Sequence, residues 1–162
     1  MKIALITGSF PNARCGIGDY TAYLATGLAS QGIETYVLTT DQPEIKALDQ
    51  LHLKVVKPVP SWRLFYLPRF LRSLWNIRPD LVHVQYPTRG YRYHLLVNVF
   101  PMIGRLFLNR AVLVVTLHEF SIAHWLRKVS LFFLLWFSDT IVVPDERERR
   151  SLMRRSGRLA TH

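Results

Sequence analysis

The chain has 162 residues, the length of one ordinary domain and enough to bury a core. Apolar residues make up 49% and charged residues 20%, which excludes a disordered chain, and the single cysteine, Cys15, excludes an intrachain disulfide framework and a cysteine metal cluster. A formal net charge of +10 asks for an anionic partner, and nucleic acid, an acidic lipid surface and a phosphorylated substrate all qualify.

The apolar run Ile3–Thr7 reads as a first strand. It runs into "GSFPNARCGIGDYTAYLATGLASQG", a loop with two closely spaced glycines, Gly16 and Gly18, and then a helix over Asp19–Ser30. Gly32 stands where a glycine ends a helix, just before a second strand, Thr35–Thr39. A third strand is expected over Leu53–Lys57. Pro68 suits the first turn of a helix reaching Ile77, with Phe70, Leu71, Leu74 and Trp75 at helical spacing. A fourth strand follows at Leu81–Gln85, a helix at Tyr93–Leu108 and a fifth strand at Val112–Leu117. The next helix, Ile122–Phe137, carries "LFFLLWF", apolar on all sides and therefore expected in the core. A sixth strand, Thr140–Val143, leads to a helix over Asp145–Arg154. There Asp145 and Glu148 make a capping-box pattern, and Arg154 and Arg155 suit the dipole at the other end.

Short Val-, Ile- and Leu-rich runs alternating with helices predict an α/β fold, a doubly wound, mostly parallel Rossmann-like sheet in three layers. Residues 1–162 read as one such domain, without internal repeat or linker. The longest unbroken apolar run falls well short of the roughly 20 residues of a membrane span, and no secretory signal is visible. The expected setting is cytoplasmic.

In open α/β sheets, ligands bind beyond the carboxyl ends of the strands. The glycine loop stands there, at a helix N-terminus suited to an anion. "GIGDYT" supplies part of a dinucleotide fingerprint, with Asp41 as a conceivable ribose partner, but Thr21 replaces the third glycine. The loop before Gly16 is also too long for the tight dinucleotide turn. A plainer alternative is that the glycines only shape a turn.

Three further segments join the glycine loop: "PDLVHVQYP" (Pro79–Pro87), "VLVVTLHEF" (Val112–Phe120) and "SDTIVVPDERERRSLMRRSG" (Ser138–Gly157). In this order and spacing they resemble the N-terminal domain of retaining GT-B glycosyltransferases of the family 4-like group. The resemblance covers essentially the whole chain. It implies transfer of a sugar from a nucleotide-sugar donor to an acceptor hydroxyl with retention, without a bound metal or other cofactor. By the same resemblance, Gly16 and Gly18 match the loop near the donor diphosphate and acceptor, although the family often has adjacent glycines where Ile17 intervenes here. Asp19 and Tyr20 would meet the acceptor, His118 would reach the donor sugar and the reaction centre, and Glu119 would orient the loop. An imidazole at a strand end suits this role because it exchanges hydrogen bonds with sugar hydroxyls and titrates near neutrality.

The family's donor pocket lies mostly in a C-terminal domain, with a basic pair for the diphosphate and a pair of glutamates. None of these is matched within this chain. The expectation is an acceptor-side domain that needs that C-terminal domain in cis or in trans and is inactive alone. The alternative is a non-enzymatic interaction module or a remnant half-domain.

The segment "SWRLFYLPRFLRSLWNIRPD" sets Leu67, Phe70, Leu71, Leu74 and Trp75 against Arg69, Arg72, Ser73 and Asn76. A basic amphipathic helix of this kind either packs on the sheet with its arginines in water or lies on an anionic membrane. The resemblance implies a sugar or a lipid-linked acceptor, in glycolipid or polysaccharide synthesis, and membrane docking through Arg69 and Arg72 would suit a lipid-linked one. Nucleic acid is not an expected partner, because the basic residues lack the aromatic platform of an RNA-binding sheet.

Overall fold

A computed structural model describes residues 1–11, 15–40, 51–108, 110–118, 125–146 and 149–150, with residues 125–130 described by their backbone alone. Six strands alternate with helices: β1 (Lys2–Ile6), α1 (Gly16–Ser30), β2 (Glu34–Leu38), β3 (Leu53–Val56), α2 (Leu67–Ile77), β4 (Leu81–Tyr86), α3 (Leu96–Gly104), β5 (Val112–Leu117), α4 (Trp125–Trp136) and β6 (Thr140–Val142). Every pairing is parallel, in the order β3-β2-β1-β4-β5-β6. The chain thus steps outward from β1 to β3, returns across β1 and steps outward again. This is the doubly wound Rossmann-like topology that the sequence predicts, with its switch point between β1 and β4.

Strand periodicity divides the core between the two faces of the sheet. Ile3 and Leu5 of β1 point to α1, with Val37, Leu53, Ala25 and Ala29. Ala4 and Ile6 point the other way, into the larger cluster with Phe70, Leu74, Phe100, Leu131 and Leu134. On α1 the buried positions are Gly18, Thr21, Ala25 and Ala29. These small residues let the helix axis lie close to the sheet. On the other face Phe70 is the central side chain, edge-on to Trp62 and Phe100 at centroid distances of 5.7 and 5.3 Å.

One side chain ties the β5–β6 edge to the helices. Arg105, just past α3, donates from Nε and Nη2 to the Phe137 carbonyl at 3.0 and 2.8 Å, and its Nη2 lies 2.6 Å from Asp139 Oδ1. Asp139 Oδ2 in turn accepts from the Leu113 N–H at 2.7 Å.

The structure differs from the sequence reading at several helix ends. α1 begins at Gly16 and not at Asp19, because Cys15 in an extended conformation already starts the turn. The helix expected from Tyr93 begins only at Leu96, because a 3₁₀ turn at Arg89–Tyr91 ends in Arg92 at φ 51 and ψ −125. The helix expected over Asp145–Arg154 lies mostly outside the described residues. "LFFLLWF" is only half core. Leu131 and Leu134 are buried, whereas Phe132, Phe133 and Trp136 are exposed, with Phe132 stacked on Trp136 at 5.5 Å. As an outer-layer helix, α4 buries only the stripe that meets the core. Among the described residues, no helix is long and apolar enough to cross a membrane.

Candidate functional site

The loops beyond the carboxyl ends of β1, β4 and β5 make one connected surface. At the switch point the first two close on each other. A Cβ on Gly90 would overlap the Gly8 carbonyl, and one on Gly8 would stand 2.6 Å from the Tyr91 backbone nitrogen. The Gly90 N–H donates to Ser9 Oγ at 3.0 Å, and the Tyr91 hydroxyl donates to the Ile6 carbonyl at 3.0 Å. Tyr91 also stacks on Tyr86, with centroids 5.8 Å apart. Burial, and then the neighbouring Tyr86, hold the Tyr91 phenol well above its ordinary pKa, so it stays a neutral donor. The bare backbone at Gly8 and Gly90 therefore serves contact between two loops of the protein.

The glycines singled out from the sequence lie one turn further on. Gly18 is buried, and a Cβ there would meet the Ser9 carbonyl oxygen at 3.1 Å. Its small size lets α1 lie against the strand-end loop. Gly16 is exposed at the start of α1, with nothing within 4 Å of an added Cβ. Cys15 makes no side-chain cap, so the cap comes from backbone alone. Asp19 is exposed in the first turn, a favourable place for a carboxylate at the positive end of the helix.

Tyr20 reaches from α1 to the end of β5. Its ring stands edge-on to the His118 imidazole, with centroids 5.4 Å apart and planes at 72°. Residues 20 and 118, far apart in the chain, are thus brought to one place where α1 begins and β5 ends. His118 is anchored from below. Its backbone N–H donates to the Tyr86 carbonyl at 2.9 Å, and its Nε2 lies 2.8 Å from Gln85 Oε1. Since a carbonyl oxygen only accepts, Nε2 carries the hydrogen in this arrangement.

Gln85 continues the chain of contacts inward. Its Nε2 lies 3.3 Å from His83 Nε2, which also meets Thr116 Oγ1 at 2.7 Å. His83 accepts in both contacts and is neutral. Burial, and then the nearby His118, push its pKa down to about 4. In the parallel register Gln85 stands opposite Thr116. His83 and Gln85 on β4, Thr116 on β5 and His118 just past its end therefore form a polar ladder, supporting the imidazole at its top.

Of the residues read from the sequence, the fold joins Tyr20 with His118 and keeps Gly18 and Asp19 on the turn beside Tyr20. Glu119 lies outside the described residues. Sequence reasoning missed Gln85, His83 and Thr116. The available signal was the two-residue spacing of polar groups in two otherwise apolar strands, which gains meaning only once the strands are known to be neighbours. No group of three or more metal-ligating side chains occurs among the described residues.

The model of the glycosyl transferase 4-like domain matches residues 15–161. No curated protein matches the chain. Among solved structures, an alpha-glucosyltransferase in complex with UDP and a 13-mer DNA containing a central A:G mismatch is similar at 12% identity and a TM-score of 0.58, over 90% of this chain and 37% of that one. The Bordetella bronchiseptica enzyme WbmG, in complex with NAD and UDP, is similar at 13% identity and a TM-score of 0.56, over 87% of this chain and 51% of that one. The chain thus spans about half or less of the length of these structures, and at such identities the likeness is one of fold.

Proposed function

Because the chain belongs to the glycosyl transferase 4-like family, we propose that it is the acceptor-side domain of a retaining GT-B glycosyltransferase. The reaction moves a sugar from a nucleotide-sugar donor to an acceptor hydroxyl, in glycolipid or polysaccharide synthesis. The observation that carries the site assignment is the meeting of Tyr20 and His118 above the Gln85–His83–Thr116 ladder.

In this reading the sugar–phosphate bond breaks while the acceptor oxygen bonds to the same carbon, and the acceptor proton leaves with the departing diphosphate. His118 positions a sugar hydroxyl, with its ring held by Gln85. Tyr20 walls the site from the α1 side, and Asp19 meets the acceptor. The turn Gly16–Gly18 at the α1 N-terminus faces the developing phosphate charge, where a helix dipole favours an anion. Glu119 orients the loop that carries His118. The donor is held by a C-terminal domain, in cis or in trans, so residues 1–162 alone are inactive. Peripheral attachment to an anionic membrane through Arg69 and Arg72 is part of the same proposal, since both are exposed on α2.

The test begins with the coding DNA beyond the codon for His162 and continues with its complete product. That protein is incubated with UDP-, GDP- and ADP-sugars and alcohol acceptors, and released nucleoside diphosphate is measured. Acceptor-dependent release, falling at least about 100-fold in His118→Ala, is the expected result. A folded product that turns over none of the donors would overturn the reading.

A further inference from the structure

A second feature lies at the same end of the sheet, on the β3 side. A cleft of about 390 Å³ is lined by Thr40 after β2, Ser61, Trp62 and Arg63 after β3, and Arg92 and His94 after β4. We propose that this cleft binds a phosphate group, carried by the molecule that accepts the sugar. The proposal rests on the glycosyltransferase reading for the word acceptor, and on the cleft alone for the phosphate.

The chemistry of the lining is one-sided. Arg63 and Arg92 bring two guanidinium forks, His94 an imidazole, and Thr40 and Ser61 two hydroxyls; no carboxylate lines the cleft among the described residues. Arg63 is exposed and its side chain makes no hydrogen bond or ion pair among the described residues. Guanidinium forks are matched by an oxyanion with several acceptor oxygens, and a tetrahedral phosphate offers more of them than a planar carboxylate.

Two further observations are independent of charge. Trp62 is 1% exposed, yet among the described residues its indole Nε1 has no hydrogen-bond partner. A buried N–H left unsatisfied costs roughly 1–3 kcal/mol, so an acceptor atom reaching it would be strongly held. Arg92 holds φ 51 and ψ −125, a conformation that L residues rarely adopt. Such outliers cost about 1–3 kcal/mol and cluster at ligand-binding positions. The strained turn is fixed from below by the Gly8–Gly90 contact and by Tyr91, whose ring meets Trp62 edge-on at 5.0 Å. The same packing that closes the switch point therefore presents Arg92 to the cleft.

The test uses the 162-residue chain and its four tryptophans, whose indole N–H signals are followed by NMR. Glycerol 3-phosphate is titrated in at constant ionic strength, with glycerol as the neutral control. In parallel, vesicles of phosphatidylcholine with and without phosphatidic acid are added. The expected result is a saturable shift of the Trp62 indole signal with a phosphate-bearing probe and none with glycerol. Arg63→Gln should weaken it at least about fivefold, and Arg63→Lys less than that. A response to glycerol 3-phosphate identifies a soluble phosphorylated acceptor; a response only to phosphatidic acid identifies a lipid headgroup. Absence of any Trp62 shift, or an equal shift in Arg63→Gln, overturns the cleft assignment. Because binding is read without sugar transfer, these results stand apart from the turnover test of the catalytic reading.

Discussion

Gly90 lies backbone against backbone on Gly8, with no space for even one carbon between them. This contact fastens the loop after β4 to the loop after β1, and the 3.0 Å hydrogen bond from Gly90 to Ser9 completes it. Gly90→Ala must therefore move two main chains, and a loss of about 2–3 kcal/mol is expected in urea unfolding. Gly27→Ala is the opposite case. It lies inside α1 with open space around an added Cβ, so a gain of about 0.5–1 kcal/mol is expected. Equal effects of the two substitutions would contradict the packing described for the seam.

Arg105 offers a second test of the framework. Its planar head serves the Phe137 carbonyl and the Asp139 carboxylate together. Arg105→Ala should lower stability by about 2 kcal/mol through lost charge-assisted bonds, and Arg105→Lys should recover less than half, because an ammonium cannot reproduce the fork. Thermal unfolding of the three proteins at one pH decides this. Full recovery by lysine would mean that charge alone matters there.

His83 gives the fold a defined acid sensitivity. Its folded pKa of about 4 lies below the ordinary 6.5, so between these values the unfolded chain takes up the proton first. The stabilising contribution is complete above about pH 6.5 and is lost as pH falls toward 4, amounting to up to about 3 kcal/mol. His83→Asn keeps a polar partner for Thr116 and removes this titration. Denaturant midpoints from pH 7 to pH 4 should fall more steeply in the wild type than in the variant. Parallel curves would show that His83 is not held neutral.

The exposed arginines of α2 bear on membrane attachment. Leu67, Phe70, Leu74 and Ile77 are buried, so the apolar face of α2 is already used by the core, and the outward residues are Pro68, Arg69, Arg72, Asn76 and the half-exposed Trp75. The chain should co-sediment with vesicles containing phosphatidylglycerol and not with phosphatidylcholine alone. Reversing both charges, Arg69→Glu with Arg72→Glu, should weaken this at least tenfold, since each basic residue near such a surface contributes about 1 kcal/mol. Undiminished binding of the double variant would remove α2 from the membrane contact.

The order of strands and helices is legible in the sequence because the runs around Val82, Val84, Val115 and Leu117 are buried and mostly apolar, broken only by His83, Gln85 and Thr116. Helix ends are less legible. The start of α3 depends on Arg92, whose unusual backbone is imposed by its surroundings and not by its own preference. The exposure of Phe132, Phe133 and Trp136 was hidden for a similar reason, since a uniformly apolar run has no side that announces itself as outward. At the candidate site, His118 and Tyr20 carry recognisable local patterns. Gln85 does not, because its value comes from a neighbouring strand and not from its neighbours in the chain.

Gln85 has a further consequence. An amide has one end that receives hydrogen bonds and one that gives them, and here the receiving end faces His118 while the giving end faces His83. The two rings are thereby cast in unlike parts: one presents a hydrogen to the protein, and the other only a lone pair. Burial, and then His118 nearby, disfavour a charge on His83, so His83 stays neutral near neutral pH. With this amide between them, His83 is kept as the acceptor and His118 as the donor.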